Sequence, residues 1–244
     1  MPKRPTKRTR KGSDVVKSEL PDGLLNAEPV AYPVADITIT ALQIYHNPER
    51  KPDGEGPWRH EADKIAWIDA DTGLGCIMLR QENGTISGYV SVPPHHPLFG
   101  YQADAVPVAI SNTVHGGVTY GKACEVNRFA RKAWGEPRKE RYTVCHVTHV
   151  RMVQDYRTVQ TTEDEFHEDL WWFGFDTSHP GDLVPKGRKE RRKGDVYRDQ
   201  TFVYANCTTL ARKLKSVLDA EESSSATKAP QTPLLLPPST DGDH

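Results

Sequence analysis

The chain has 244 residues, 36% of them hydrophobic and 27% charged, with a mean hydropathy of −0.67. That is too polar for packing along the whole length and points to one globular domain with loose ends. The 32 basic and 33 acidic residues leave a formal net charge of −1, which excludes a bulk field drawing the molecule to nucleic acid or membrane and leaves only local attraction.

Residues 1–20 carry Lys3, Arg4, Lys7, Arg8, Arg10, Lys11 and Lys17 with few apolar side chains. They predict a disordered basic arm, either a salt-sensitive contact to nucleic acid or a solvated tail. The arm has no apolar segment behind it, and no run approaches the roughly 18 residues that cross a bilayer, so neither a secretory signal nor a membrane span is expected and the setting is cytosolic. The cysteines, Cys76, Cys124, Cys145 and Cys207, are scattered without Cys-x-x-Cys spacing. Reduced, mostly buried thiols are expected, with Cys145 beside His146 and His149 as a possible nucleophile.

The folded part opens near Tyr32. Ile37, Ile39 and Ala41 alternate with polar residues as in a half-buried strand, and His46–Pro57 is a Pro- and Gly-marked loop. Ile65 and Trp67 begin a short strand or helical turn. Cys76–Arg80 and Thr85–Val92 flank Gln81-Glu82-Asn83-Gly84, predicting a hairpin whose tight turn takes its positive φ from Asn-Gly. Val106, Val108 and Ile110 then alternate and lead into Val114–Tyr120, a strand broken by Gly116 and Gly117, where a bulge or a close approach is expected.

Residues 122–141 are basic around Trp134 and predict a short helix and loop, Tyr142–Met152 alternates as a strand, and Thr161–Asp169 is an acidic loop or helix start. Trp171-Trp172-Phe173-Gly174-Phe175 is long enough for a buried strand. It runs directly into Asp176-Thr177-Ser178-His179-Pro180-Gly181-Asp182, a polar loop on a Pro-Gly turn. The two tryptophans must point to opposite faces of that strand. Lys186–Lys193 is a basic loop. Asp199 caps a helix whose Val203, Cys207, Leu210, Ala211, Leu214, Val217 and Leu218 form one apolar stripe. From Glu221 the chain is Ser- and Pro-rich and predicts a flexible tail over 221–244.

These elements give an α+β domain over 30–219: an antiparallel or mixed sheet of about five to seven strands, a long C-terminal helix and one or two short helices. The blocks Gly88-Tyr89-Val90-Ser91-Val92-Pro93 with His96-Pro97-Leu98-Phe99-Gly100, His115-Gly116-Gly117-Val118-Thr119-Tyr120, Trp171–Asp182 and Tyr197-Arg198-Asp199 resemble, in order and spacing, a group of small bacteriophage and prophage proteins with no assigned activity. The resemblance implies a phage origin and the host cytoplasm, and no mechanism. Relative to that group, 122–167 looks like an insertion.

One candidate for the chemistry is a metal centre of His115, Asp176, His179 and Asp182, with His96 as a further ligand. Imidazole and carboxylate suit zinc, manganese, magnesium or iron, and an open position on such a divalent metal would activate water toward a phosphoester. The bland alternative is that these residues cap strands and close turns. A second candidate is metal-free binding of a small phosphorylated molecule or nucleotide, held by Arg198, the 186–193 loop and the Gly116-Gly117 backbone with Tyr120 or a tryptophan stacking a base. His146-Val147-Thr148 is a lone His-x-Thr motif of the kind paired in two-histidine phosphoesterases. Nucleic-acid binding through the basic arm and 128–141 is the remaining class.

Overall fold

The computed structural model describes residues 29–123, 144, 170–187 and 193–227. The expected basic arm, the helix and basic cluster of 122–141 beyond Ala123, the strand over Tyr142–Met152 apart from Val144, Cys145, His146, His149, the acidic segment 161–169, the centre of the 186–193 loop and the tail after Thr227 lie outside the described residues.

Strands β1 (Val30–Val34), β2 (Ile37–Tyr45), β3 (Lys64–Ile68), β4 (Gly75–Arg80), β5 (Ile86–Val92), β6 (Tyr120–Ala123) and β7 (Trp171–Phe175) form one seven-stranded sheet. Its order is β1-β2-β3-β4-β5-β7-β6, with every neighbouring pair antiparallel. With the short helix α1 (Val108–Ser111) and the long α2 (Gln200–Thr227), this is the α+β fold expected from the sequence. Pro33 is accommodated because β1 is an edge strand, where a missing ladder donor costs little.

β4 and β5 are buried along both faces, which is why Cys76–Leu79 in β4 is a continuous apolar run and β5 carries only the small Ser87, Gly88 and Ser91 between its apolar residues. On one face Ile65, Trp67, Met78, Val90, Phe173 and Phe175 meet the α2 stripe of Val203, Cys207, Leu210, Ala211 and Leu214. On the other, Ala66, Ile77, Leu79, Tyr89 and Trp172 form a second cluster with Val144. Trp171 packs at the margin of the first cluster and Trp172 in the second, on opposite faces as the strand period requires. Cys76 and Cys207 are buried thiols outside any disulfide, and burial pushes both above the ordinary thiol range.

α2 begins as its cap predicts, with the Phe202 backbone N–H donating to Asp199 Oδ1 at 2.9 Å. It runs further than expected. The helix continues through Glu221 to Thr227, into the segment read as a flexible tail, because Ala and Glu favour helix and the Ser223 and Ser224 hydroxyls donate to the carbonyls of Asp219 and Ala220 one turn back.

One local expectation holds in detail and another is corrected. In the β4–β5 hairpin, Gly84 N–H donates to Gln81 O at 3.0 Å and Gln81 N–H to Thr85 O at 2.8 Å, so the connection is a four-residue turn with a glycine bulge. The positive φ, 84°, belongs to Gly84, while Asn83 instead accepts the Thr85 N–H and hydroxyl on its Oδ1. The strand expected over Val114–Tyr120 is reduced to its last residue, and the alternating Val106, Val108 and Ile110 before it do not form a strand either. Pro107 starts the one-turn α1, with Val106 and Ile110 buried and Val108 left 70% exposed, and Gly116 and Gly117 are turn residues with φ of 69° and 84°. Pairing starts only at Tyr120.

A buried ionic network joins the sheet to the start of α2. The Arg80 side chain, wholly buried, donates Nε to Asp63 Oδ1 (2.6 Å), Nη2 to Glu61 Oε2 (2.8 Å), and Nη1 to Tyr197 Oη (2.8 Å) and Gly84 O (3.0 Å). Tyr197 Oη donates to Glu61 Oε2 at 2.7 Å, and the other oxygen of Glu61 accepts the Gln200 N–H at 3.1 Å. Burial works against the Arg80 charge, but Tyr197, Glu61 and Asp63 outweigh it and raise its pKa. Replacing Arg80 with methionine removes the guanidinium shared by both acids, leaving, among the described residues, Glu61 with only neutral donors and Asp63 with Lys51 at 3.8 Å as its remaining cation. Arg80→Met is expected to lower unfolding stability by about 3–5 kcal/mol, measured by urea denaturation. A change below about 0.5 kcal/mol, the size of a surface effect, would contradict that assignment.

Candidate functional site

The C-terminal end of β7 and the loop after it deliver the polar residues. Phe175 is the last packed residue, and Asp176 closes the loop by accepting the Ser178 N–H (3.1 Å) and hydroxyl (2.8 Å) on Oδ1 and the Thr119 hydroxyl (3.1 Å) on Oδ2. The loop is stitched to the segment before α2. Leu183 N–H donates to Val196 O and Val196 N–H to Gly181 O, at 2.9 and 3.0 Å, in an isolated parallel bridge between Asp182 and Val196. That bridge brings Arg198 beside Asp182.

Asp182 is the centre of the cluster. Its carboxylate is buried and takes three N–H donors: His115 Nε2 on Oδ2 (2.7 Å), the His179 backbone on Oδ2 (3.0 Å) and Arg198 Nε on Oδ1 (2.8 Å). Burial pushes the carboxyl upward, and the bonds from His115, Arg198 and His179 more than reverse this, so it lies below the usual carboxylate range. Because a carboxylate only accepts, it holds the His115 proton on Nε2, leaving Nδ1 as the basic nitrogen of the neutral ring. His115 is fixed from the other side by its backbone N–H to Asn206 Oδ1 (2.9 Å) and by the Phe202 ring, 5.2 Å away and edge-on.

The second imidazole faces the first. The rings of His115 and His179 are 5.2 Å apart at 66°, and His179 Nε2 stands 3.5 Å from Asp176 Oδ1, in ion-pair reach but without a hydrogen bond. Burial raises the Asp176 carboxyl, but its bonds from Ser178 and Thr119 and the nearby His179 bring it below its ordinary value. Gly116 makes this approach possible. A Cβ there would lie 1.9 Å from His179 Nε2, and its φ of 69° disfavours any side chain. Arg198 lies over the Phe202 ring at 4.7 Å, and among the described residues only its Nε is hydrogen-bonded, leaving both Nη atoms as donors.

The structure therefore brings His115, Asp176, His179, Asp182, Arg198 and Gly116 together from three separate stretches of chain, with Gly117 adjoining in the same turn. It does not bring His96. That ring is buried under α2, with Nε2 on Leu214 O (3.0 Å) and Nδ1 accepting the Leu98 N–H (3.0 Å), so both nitrogens are used in holding the chain, and burial lowers its pKa. Tyr120 lies on the other side of Thr119 and Asp176, in a cleft of about 490 Å³ lined among others by Arg50, Gln81, Asn83, Ser87 and Tyr89. None of these last five was singled out from sequence, nor were Thr119, Phe202 and Asn206. Phe202 and Asn206 are spaced as one helix face, but nothing in their spacing shows that the face meets His115.

The geometry is that of a hydrogen-bonded acid–base cluster. His115 and Arg198 point at Asp182 rather than with it at a shared point, and among the described residues no group of three or more His, Cys, Asp or Glu is arranged to hold a metal ion. No protein-family model, curated protein sequence or solved structure matches the chain. No helix among the described residues is long and apolar enough to cross a membrane.

Two outcomes test this geometry. Both acids have folded pKa values below the ordinary 3.8, so the unfolded chain binds more protons near that pH. The stabilisation is complete above it and is lost as pH falls through the folded values. Thermal melts should show that Asp182→Asn lowers the melting temperature at neutral pH and narrows its gap to wild type between about pH 5 and pH 2. Gly116→Ala should cost about 1–2 kcal/mol from the left-handed backbone alone and shift the His179 ring resonances in NMR spectra, because the ring must move.

Proposed function

We propose that this protein binds a small phosphorylated molecule at the end of β7 and hydrolyses its phosphoester by general acid–base catalysis. The observation that carries the reading is the convergence of His115, pinned by Asp182 with Nδ1 left basic, a second imidazole 5.2 Å away, and the unbonded Nη edge of Arg198. Arg198 supplies paired N–H donors and a fixed positive charge, the geometry that suits phosphoryl oxygens. His115 Nδ1 takes a proton from water as the water oxygen attacks phosphorus. The ester P–O bond breaks, and its oxygen leaves with a proton from protonated His179, whose charge Asp176 stabilises.

The metal-centre route is not carried into this reading, because both oxygens of Asp182 are already engaged in orienting His115 and Arg198. A phage origin and a place in the host cytoplasm belong to the same proposal, as does weak nucleic-acid contact through residues 1–20. A second reading, capture of the ligand without turnover, is favoured by the same Arg198 edge, which binds whether or not chemistry follows.

With a chromogenic phosphoester as probe, His115→Ala and His179→Ala should each lower kcat by about 100-fold or more while the fold, followed by circular dichroism, is kept. Chelator should leave the wild-type rate unchanged. Loss of activity with chelator would restore the metal centre, and no wild-type turnover with phosphate-ester binding that depends on Arg198 would establish capture.

A further inference from the structure

The cleft beside the cluster has a chemistry of its own. At about 490 Å³ it falls within the roughly 300–1,000 Å³ of small-molecule sites. Tyr89 and Tyr120 stand 5.1 Å apart at 83°, so one ring presents its edge to the face of the other, and both line the cleft. At the rim of this aromatic pair are two amides whose hydrogen bonding is half used. Gln81 spends its Nε2 on Tyr89 Oη (3.1 Å) and Leu79 O (3.3 Å), which leaves Oε1 as an acceptor. Asn83 spends Oδ1 on the Thr85 N–H and hydroxyl, which leaves Nδ2 as a donor.

An aromatic surface with a neighbouring amide donor and amide acceptor is complementary to a heterocyclic base, which offers a π-face and an edge of alternating donors and acceptors. Asp176 is the shared wall between this cleft and the acid–base cluster. It lines the cleft, accepts the Thr119 hydroxyl on Oδ2 and lies 3.5 Å from His179 through Oδ1. A ligand with its base in the cleft would direct its phosphoryl group past Asp176 toward Arg198.

Resting on the phosphoester reading above, we infer that the ligand is a nucleoside phosphate, with its base held at Tyr89, Tyr120, Gln81 and Asn83.

The test is calorimetric titration of the full chain with ribonucleoside monophosphates of each base, the matching nucleosides, and glycerol phosphate as a base-free ester. At least one monophosphate should bind about tenfold or more tighter than glycerol phosphate, the size of a stacking and edge contribution. Asn83→Asp keeps the Oδ1 cap of the turn but replaces the Nδ2 donor with an acceptor. It should alter the order of preference among bases by about tenfold. Tyr120→Leu should reduce the advantage over glycerol phosphate, and Arg198→Ala should weaken all phosphates while sparing nucleosides.

If glycerol phosphate binds as well as every monophosphate and Asn83→Asp changes no preference, the inference is overturned while the phosphate reading stands. If nucleosides bind as well as their monophosphates and Arg198→Ala changes nothing, the phosphate reading fails while the base site is upheld. No binding by any probe overturns the inference.

Discussion

The Arg80 guanidinium, sealed between sheet and helix, is the interaction on which the rest of the molecule is arranged. It sits on β4, and its acids, Glu61 and Asp63, lie just before β3. Asp63 also accepts the Asn47 N–H at 2.6 Å, and Lys51 donates to the carbonyls of Trp58 and Glu61. The long β2–β3 connection is thus wound around one buried cation. Such a cluster is costly to desolvate and strongly destabilising to break, so its value lies in fixing one arrangement rather than in net stability. It fixes where α2 starts, since Tyr197 and Gln200 are both held by Glu61.

The polar cluster hangs from that anchor through three consecutive residues. Tyr197 turns inward to Arg80, Arg198 turns outward to Asp182, and Asp199 caps α2. An interior contact thus sets a second, partly buried one, because adjacent residues on an extended segment point in opposite directions. Asp182 performs the equivalent task on the other side, positioning His115 with one oxygen and Arg198 with the other. Most of its hydrogen-bonding capacity goes to orienting side chains, which leaves the His115 Nδ1 and the Arg198 Nη atoms outside the Asp182 contacts.

The elements legible in the sequence were those specified by local rules. β7 announced itself by an unbroken aromatic run, α2 by the Asp199 cap and an apolar stripe, and the β4–β5 hairpin by two apolar runs around Asn83-Gly84. The alternation of Val106, Val108 and Ile110 misled, because a period of two over so short a stretch is also met by a turn beginning at Pro107, with Val108 left in solvent. His96 misled for a different reason. Its partner, the Leu214 carbonyl, is 118 residues away, and no local pattern separates an imidazole that ties a helix to a loop from one that faces a ligand. His115 and Asp182, 67 residues apart, group in the sequence as polar residues beside glycines, although His115 is expected on a strand and stands in a turn. The cleft was not legible, because Gln81 and Asn83 read as turn chemistry and only the fold shows which of their amide atoms remain unused.

The strand order also bears on how the molecule is made. β1 to β5 pair with their sequence neighbours and can close as successive hairpins while the chain is still emerging. β6 comes before β7 in the chain yet lies outside it, so it has no edge to join until β7 has docked on β5. His115 precedes β6, Asp182 follows β7 and Arg198 directly precedes α2, so the cluster is complete only once β7, the loop after it and the start of α2 have all docked. A chain stopped short of Arg198 would therefore leave one oxygen of the Asp182 carboxylate without its partner.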